Sequence, residues 1–361
     1  KIADDPYNPD KKKKGINFLK LNEKKVIDSC KKDIKKYPKN EILKYNLLRG
    51  YKKNAFDKKK PRIHSQEIIS LIKRLTTSSN DYYNFQYATL LNSSFYIEPD
   101  INKSFSILNE LRNKNKDFDN LNYQLGMVYK ALFTGENDFD LDSFDFFVNC
   151  IKTKESFKNR CKTELANYYK WGSKNIEYDG TKAVYNLTES QDDYMAKIWL
   201  ASHYFFNHEY GSIKTGKKLL KEAVNYLTQE KNIKYSEYDP YEIPRELSWS
   251  LSLLSSQYLK EKDFKKAKKY GEKALNILEE SDVVNSGVKD EIFEYDYVYI
   301  NDLLFPSLYF IYDREESGFQ DKKKADYIFK KIKKKSDEEG FLYIRSLYAD
   351  KKLGINYEKS F

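Results

Sequence analysis

Leu247-Ser-Trp-Ser-Leu-Ser-Leu-Leu-Ser-Ser-Gln-Tyr258 runs through Leu259 into Lys260-Glu-Lys-Asp263, and then into Phe264-Lys-Lys-Ala-Lys-Lys-Tyr-Gly-Glu-Lys-Ala-Leu-Asn-Ile-Leu278. Leu251, Leu254, Ser255 and Tyr258 recur at i, i+3, i+4 and i+7, the apolar stripe of an amphipathic helix. Phe264, Ala267, Tyr270, Gly271 and Ala274 repeat the pattern on a second helix. The polar turn Lys260–Asp263 separates the two. Ser255, Ala267, Gly271 and Ala274 are small, so the two backbones can cross closely.

The pattern of a large residue, a small one and, three positions on, an aromatic recurs along the chain. It is read at Leu125-Gly126-x-x-Tyr129, Leu165-Ala166-x-x-Tyr169 and Leu200-Ala201-x-x-Tyr204. Weaker copies are Tyr87-Ala88-x-x-Leu91, Leu47-Leu48-x-x-Tyr51 and Leu308-Tyr309-x-x-Tyr312. A recurrence at this spacing marks a repeat architecture, in which one helix pair cannot bury its stripe without its neighbours. About 14 to 16 helices are expected at two per repeat. The longer steps on either side of Ser255 imply inserted loops or longer helices.

The unit at 247–281 resembles a tetratricopeptide repeat. Tyr169-Lys-Trp-Gly172 with Asp179-Gly-Thr-Lys-Ala183, and Tyr204 with Tyr210-Gly211 and Leu219-Leu-Lys-Glu-Ala223, resemble the Sel-one-like branch, which has a longer turn between its helices. Tyr348–Ser360 looks like a truncated copy of that turn. The resemblance implies an all-α fold, an α-α superhelix (solenoid) of helix-turn-helix repeats. The expected organisation is a flexible arm at 1–16, basic capping helices at 17–80, Sel-one-like repeats at 81–228, a loop or hinge at 229–246, and tetratricopeptide-like repeats with a C-terminal cap at 247–361. Pro240 and Pro244 are expected to block helix continuation in the hinge.

Composition agrees with an ordered, thin fold. Tyr occurs 32 times and Phe 22 times, with only 13 Gly and 8 Pro, too few turn residues for a β-sandwich. No run of 18 apolar residues exists, so no membrane-spanning helix is expected. The polar opening at Lys1, which is not Met, reads as a mature chain after signal removal, so a periplasmic or otherwise exported protein is expected, with the cytoplasm as the alternative. Cys150 and Cys161 can meet across a helix-to-helix turn as a disulfide, or stay as two buried thiols, since free Cys is a common core residue.

The net charge of +10 is uneven. Residues 1–75 hold 23 Lys+Arg against 9 Asp+Glu, and the remainder holds 42 against 46. Lys11–Lys14, Lys31–Lys36 and Lys52–Lys60 carry this excess, and Lys31, Lys32, Lys35, Lys36, Lys58, Lys59 and Lys60 form the candidate electrostatic face. A second basic cluster spans Lys330–Lys335. Charge runs are commonly just a solvated face. Arg is scarce, which argues against bidentate phosphate recognition.

Catalytic patterns are not found. There is no phosphate-binding glycine loop and no nucleophile elbow. His203 and His208 are five apart rather than four, which turns the rings away from each other on a helix. Asp138-x-Asp140-x-Asp142 superficially resembles a calcium loop, but Ser143 and Asn149 stand where Gly and Glu are required. No cofactor or metal is expected. Trp171, Trp199 and Trp249 are read as structural. The expected function is a non-catalytic protein-binding repeat scaffold presenting a concave surface. An exported bacterial adaptor, or an immunity protein that sequesters a toxic effector, would be a form of it by family analogy. The alternative is nucleic-acid or anionic-membrane-surface binding through the basic N-terminal region.

Overall fold

The computed structural model describes residues 18–339 except 59, 61, 78–79, 94, 115–117, 133–139, 154, 173–174, 207–209, 230–241 and 281–302. The sequence expectations for 1–16, for most of the 229–246 hinge and for Tyr348–Ser360 lie outside the described residues. Among the described residues are fifteen α-helices and no strand. The chain divides into two compact units, Lys1–Ala196 with Ile233–Pro240, and Lys197–Asn232 with Tyr241–Phe361.

The first unit contains α1 (Glu23–Lys36), α2 (Glu41–Asp57), α3 (Ser65–Thr76), α4 (Asp81–Leu91), α5 (Ile101–Asn113), α6 (Leu121–Leu132), α7 (Asp140–Lys152), α8 (Lys158–Trp171) and α9 (Gly180–Thr188). Each packs on the next in chain order, the stacking of an α-solenoid. The second unit begins within α10 (Tyr194–Phe206) and continues through α11 (Ile213–Leu227), α12 (Glu242–Lys260), α13 (Phe264–Glu280), α14 (residues 303–313) and α15 (Lys322–Glu339). Helix α12 starts at Glu242, earlier than the expected boundary at 247. Pro244 falls in its first turn, where no intrahelical N–H is required, so it opens the helix instead of blocking it.

All seven signatures lie on the first helix of a pair, and their anchors at 48, 88, 126, 166, 201, 255 and 309, small at all but Leu48 and Tyr309, are buried. The crossing at these anchors is closed by hydrogen bonds. Ser104 Oγ donates to the Ala88 carbonyl at 2.8 Å, and Ser143 Oγ donates to the Gly126 carbonyl at 3.0 Å. Ser255 Oγ does the same for Ala267 at 2.8 Å. At Gly126 the approach is so tight that an added Cβ would lie 2.6 Å from the buried Phe147 ring.

A second recurring device builds the turn inside four of the pairs. The backbone N–H groups of Asp100, Asp179, Asp263 and Asp321 donate to the carbonyls of Leu91, Tyr169, Tyr258 and Tyr312, at 3.0, 2.8, 2.9 and 2.8 Å. Those acceptors are the third members of the signatures. The carboxylates of the same Asp residues accept the N–H of Lys103, Lys182, Lys266 and Lys324 at 2.9–3.1 Å, capping the second helix. One residue thus closes the first helix of a pair and opens the second. The Tyr258–Asp263 connection is short, as in a tetratricopeptide turn, whereas the other three are longer.

Helix α4 is buried from Phe85 to Leu91, and α12 from Ser250 to Leu259. Exposed side chains therefore concentrate on turns, helix ends and second helices.

Candidate functional site

The N-terminal lysines are spread along α1 and past the end of α2. Lys31, Lys32, Lys35 and Lys36 are exposed on α1, next to exposed Tyr37 and Ile42. Lys58 and Lys60 are exposed beyond the far end of α2, while Lys59 lies outside the described residues. Because 37–40 join the end of α1 to the start of α2, Lys35 and Lys36 lie near the start of α2, about 25 Å at 1.5 Å per residue from its far end, whereas the Lys31 ammonium reaches to 5.5 Å from the Tyr51 ring, in the last turns of α2. Lys52 and Lys53, part of the same basic run, are buried. The Lys52 ammonium sits 5.6 Å from the Phe18 ring centroid and 5.0 Å from that of Tyr96. Lys53 pairs with Asp57 and lies 5.5 Å over Phe56. Aromatic faces hold these cations while their long stems pack in the core.

Cys150 on α7 and Cys161 on α8 are joined by a disulfide, with Cα atoms 6.3 Å apart and both residues buried. Cys30, on α1, is buried and takes no part in that disulfide. Nearby, Glu155 reaches from the α7–α8 turn to the start of α6. It accepts the Asn122 N–H at 3.0 Å, the Asn122 side-chain amide at 2.8 Å and the Tyr123 N–H at 3.2 Å. Burial pushes its carboxyl above the usual range, and these donors pull it part of the way back.

The histidine and aspartate patterns resolve differently. His203 is buried on α10 with its ring 5.1 Å from Tyr210, and His208 lies outside the described residues. Asp140 and Asp142 belong to α7 rather than to a loop. Asp142 accepts the Tyr129 hydroxyl at 2.7 Å, and burial followed by this bond pushes the phenol up to about 12. Ser143 is spent on the α6–α7 crossing described above.

The exposed aromatics gather elsewhere. Trp171, Tyr178 and Tyr185 are 63%, 57% and 64% exposed, all on the α8–α9 pair. Helix α8 ends at Gly172, whose φ of +67° favours glycine, and an added Cβ there would lie 3.2 Å from the Tyr178 nitrogen. That tight turn brings Trp171 and Tyr178 to the same end of the pair. On α9 the core positions are Gly180, Ala183 and Leu187, which leaves Tyr185 on the outer side. Lys170 stands 4.8 Å over the Trp171 ring, and burial lowers its ammonium to about 8. Lys182 covers Tyr169 at 5.3 Å and pairs with Asp179 at 3.1 Å. The reading of Trp171 as structural is therefore corrected: it is the last residue of α8, beyond the inward positions Leu165 and Ala166. Trp199 and Trp249 do pack together within the second unit, with centroids 4.7 Å apart.

Below the patch, Arg160 ties α8 to the start of α10. It pairs with Asp193 at 3.0 Å and donates to the Tyr194 hydroxyl at 2.8 Å, all three being buried. Elsewhere in this unit an open groove of about 530 Å³ lies along α3–α5, floored by Tyr87, Leu91 and Ile97 and rimmed by Lys73 and Glu98.

Small-residue crossings and Asp-capped turns define a helical-repeat protein of the α-solenoid class. The structure is similar to that of the Sel1 repeat protein from Oxalobacter formigenes, at 13% identity over 72% of this chain and 99% of that one, with a TM-score of 0.47. It is also similar to c5321, a protective antigen present in uropathogenic Escherichia coli strains and displaying an SLR fold. There the identity is 13%, the coverage 84% of this chain and 66% of that one, and the TM-score 0.42. No family model matches the sequence, and no curated protein does.

Proposed function

We propose that this chain is a non-catalytic protein-binding scaffold that works in an oxidising, exported compartment, as an adaptor or as an immunity protein that sequesters a toxic effector. The observation that carries the binding role is the α8–α9 patch. Three large aromatics within fifteen residues of sequence stand more than half exposed on one helix pair. A single exposed aromatic is ordinary, but a cluster marks an interaction site, and Trp and Tyr are the residues most enriched at binding hot spots. The pair is anchored by Arg160–Asp193 and by the Gly172 turn, so the aromatics sit on a preorganised base. The Cys150–Cys161 bridge supports export, because such bonds persist in secreted and periplasmic proteins and are rare in the cytosol.

The test is capture from a cell-envelope fraction with wild-type chain and with Trp171→Ala/Tyr178→Ala/Tyr185→Ala. Wild type should retain one protein stoichiometrically, and the variant should lose it with its melting temperature unchanged. Equal retention by the variant would remove the patch from the binding role. The identity of the captured protein, toxin or envelope component, separates the immunity role from the adaptor role.

A further inference from the structure

The second unit places three lysine-rich helices side by side. Helices α11, α13 and α15 hold 17 Lys, 8 acidic residues and no Arg. All three lie within residues 76–361, which as a whole are net acidic. Lys217 and Lys221 of α11 and Lys266 of α13 converge on the ring of Tyr258, at 4.9, 5.8 and 5.2 Å, which sets α11 beside α13. Glu272 with Lys324 at 3.2 Å, and Glu279 with Lys331 at 3.0 Å, set α13 beside α15.

Several acids of this region are held in such pairs, Glu222 with Lys197 at 2.7 Å among them, while Glu280 and Asp326 stand exposed on α13 and α15. Glu261 binds Lys217 at 2.6 Å and Asp263 binds Lys266 at 2.5 Å. The lysines outside these pairs form outward stripes. Lys214 and Lys218 are exposed on α11, Lys265 and Lys269 on α13, and Lys323 and Lys330 on α15. Tyr327 is exposed in the last stripe, at i+4 from Lys323.

We infer that this face docks on an anionic phospholipid surface. Lysine is a point charge on a long flexible stem and answers to a diffuse negative potential. Arginine is the residue that recognises individual phosphates bidentately, and it is missing from all three helices. Tyr327 is held within this face, its hydroxyl donating to Glu279 and its ring covered by the Lys331 ammonium at 5.0 Å, so the exposed lysines carry the docking. Nucleic acid or an acidic protein would compete for the same charge and is an outcome of the test below; the spread of the stripes over three adjacent helices suits an extended anionic surface. The inference is independent of the α8–α9 patch.

The experiment is co-sedimentation of the full oxidised chain with vesicles of phosphatidylcholine mixed with phosphatidylglycerol, and with vesicles of phosphatidylcholine alone. Binding is expected only to the mixed vesicles, and it should weaken as salt is raised. Lys218→Ala/Lys269→Ala/Lys323→Ala should bind roughly a hundredfold more weakly, at about fivefold per lysine. Lys31→Ala/Lys35→Ala, on α1 of the other unit, should leave binding unchanged. The inference is overturned by no binding to either vesicle, by equal binding to both, by loss in the α1 variant instead, or by duplex DNA displacing the chain from the mixed vesicles at equal phosphate.

Discussion

At the scale of the residue, Gly126 against Phe147 is one of the tight fits between paired helices. An alanine there gains about 1 kcal/mol of helix propensity over glycine. It also drives a methyl to within 2.6 Å of a ring that has no exposed surface, on a helix held by the Ser143–Gly126 hydrogen bond. Overpacking of a filled core costs about 1–3 kcal/mol, so Gly126→Ala is expected to lose a net 1 kcal/mol or so. Urea unfolding would read this as a lower midpoint at unchanged slope. A raised midpoint would mean that Phe147 has room to retreat. The same scale marks where sequence reading fell short. Ala88, Gly126, Ala166, Ala201 and Ser255 were legible because closeness between helices leaves a small residue at a fixed offset, whereas Leu48 and Tyr309 keep only the offset. Lys52, Lys53 and Trp171 were not legible. Their class says charged or apolar, while their placement depends on which aromatic face or helix end each one meets.

At the scale of the element, four of the pairs carry two sequence marks, of which only one is obvious. The large–small–aromatic signature was legible from apolar periodicity. The Asp-x-x-Lys start of α5, α9, α13 and α15 recurs just as regularly, at Asp100, Asp179, Asp263 and Asp321, but Asp and Lys are so common in this chain that the pattern hides in the composition. Its function is to close one helix with a backbone N–H and to cap the next with a carboxylate. Asp100→Ala should therefore cost about 1 kcal/mol by removing the cap on Lys103, while Asp100→Asn, which still presents an acceptor, should cost little. Chemical denaturation of the two variants separates cap loss from loss of charge, since equal destabilisation would point to charge. The proposed lipid-facing stripes were hidden for a related reason. Their lysines lie on three helices far apart in sequence, and the intervening first helix α12 is buried, so no single run displays them.

At the scale of the whole molecule, the division into two compact units has consequences for unfolding. In repeat folds stability is approximately a sum of unit and nearest-neighbour terms, so a local perturbation need not be felt throughout. Two of the three tryptophans fall on the other side of the division from the disulfide, and Trp171 falls on the same side. Cys150–Cys161 lies in the first unit, and the packed pair Trp199–Trp249 lies in the second. The bridge spans 11 residues, for which loop closure in the unfolded chain predicts a contribution of about 3 kcal/mol. In a Trp171→Phe background, fluorescence reports the second unit while far-ultraviolet circular dichroism reports helix in both. Cys150→Ser/Cys161→Ser is expected to move an early part of the circular-dichroism transition to lower denaturant and to leave the fluorescence midpoint in place. Coincident movement of both probes would show that the units unfold as one cooperative body. In that case the bridge in the first unit would also stabilise the lysine face of the second, and reducing conditions would weaken vesicle binding together with the fold.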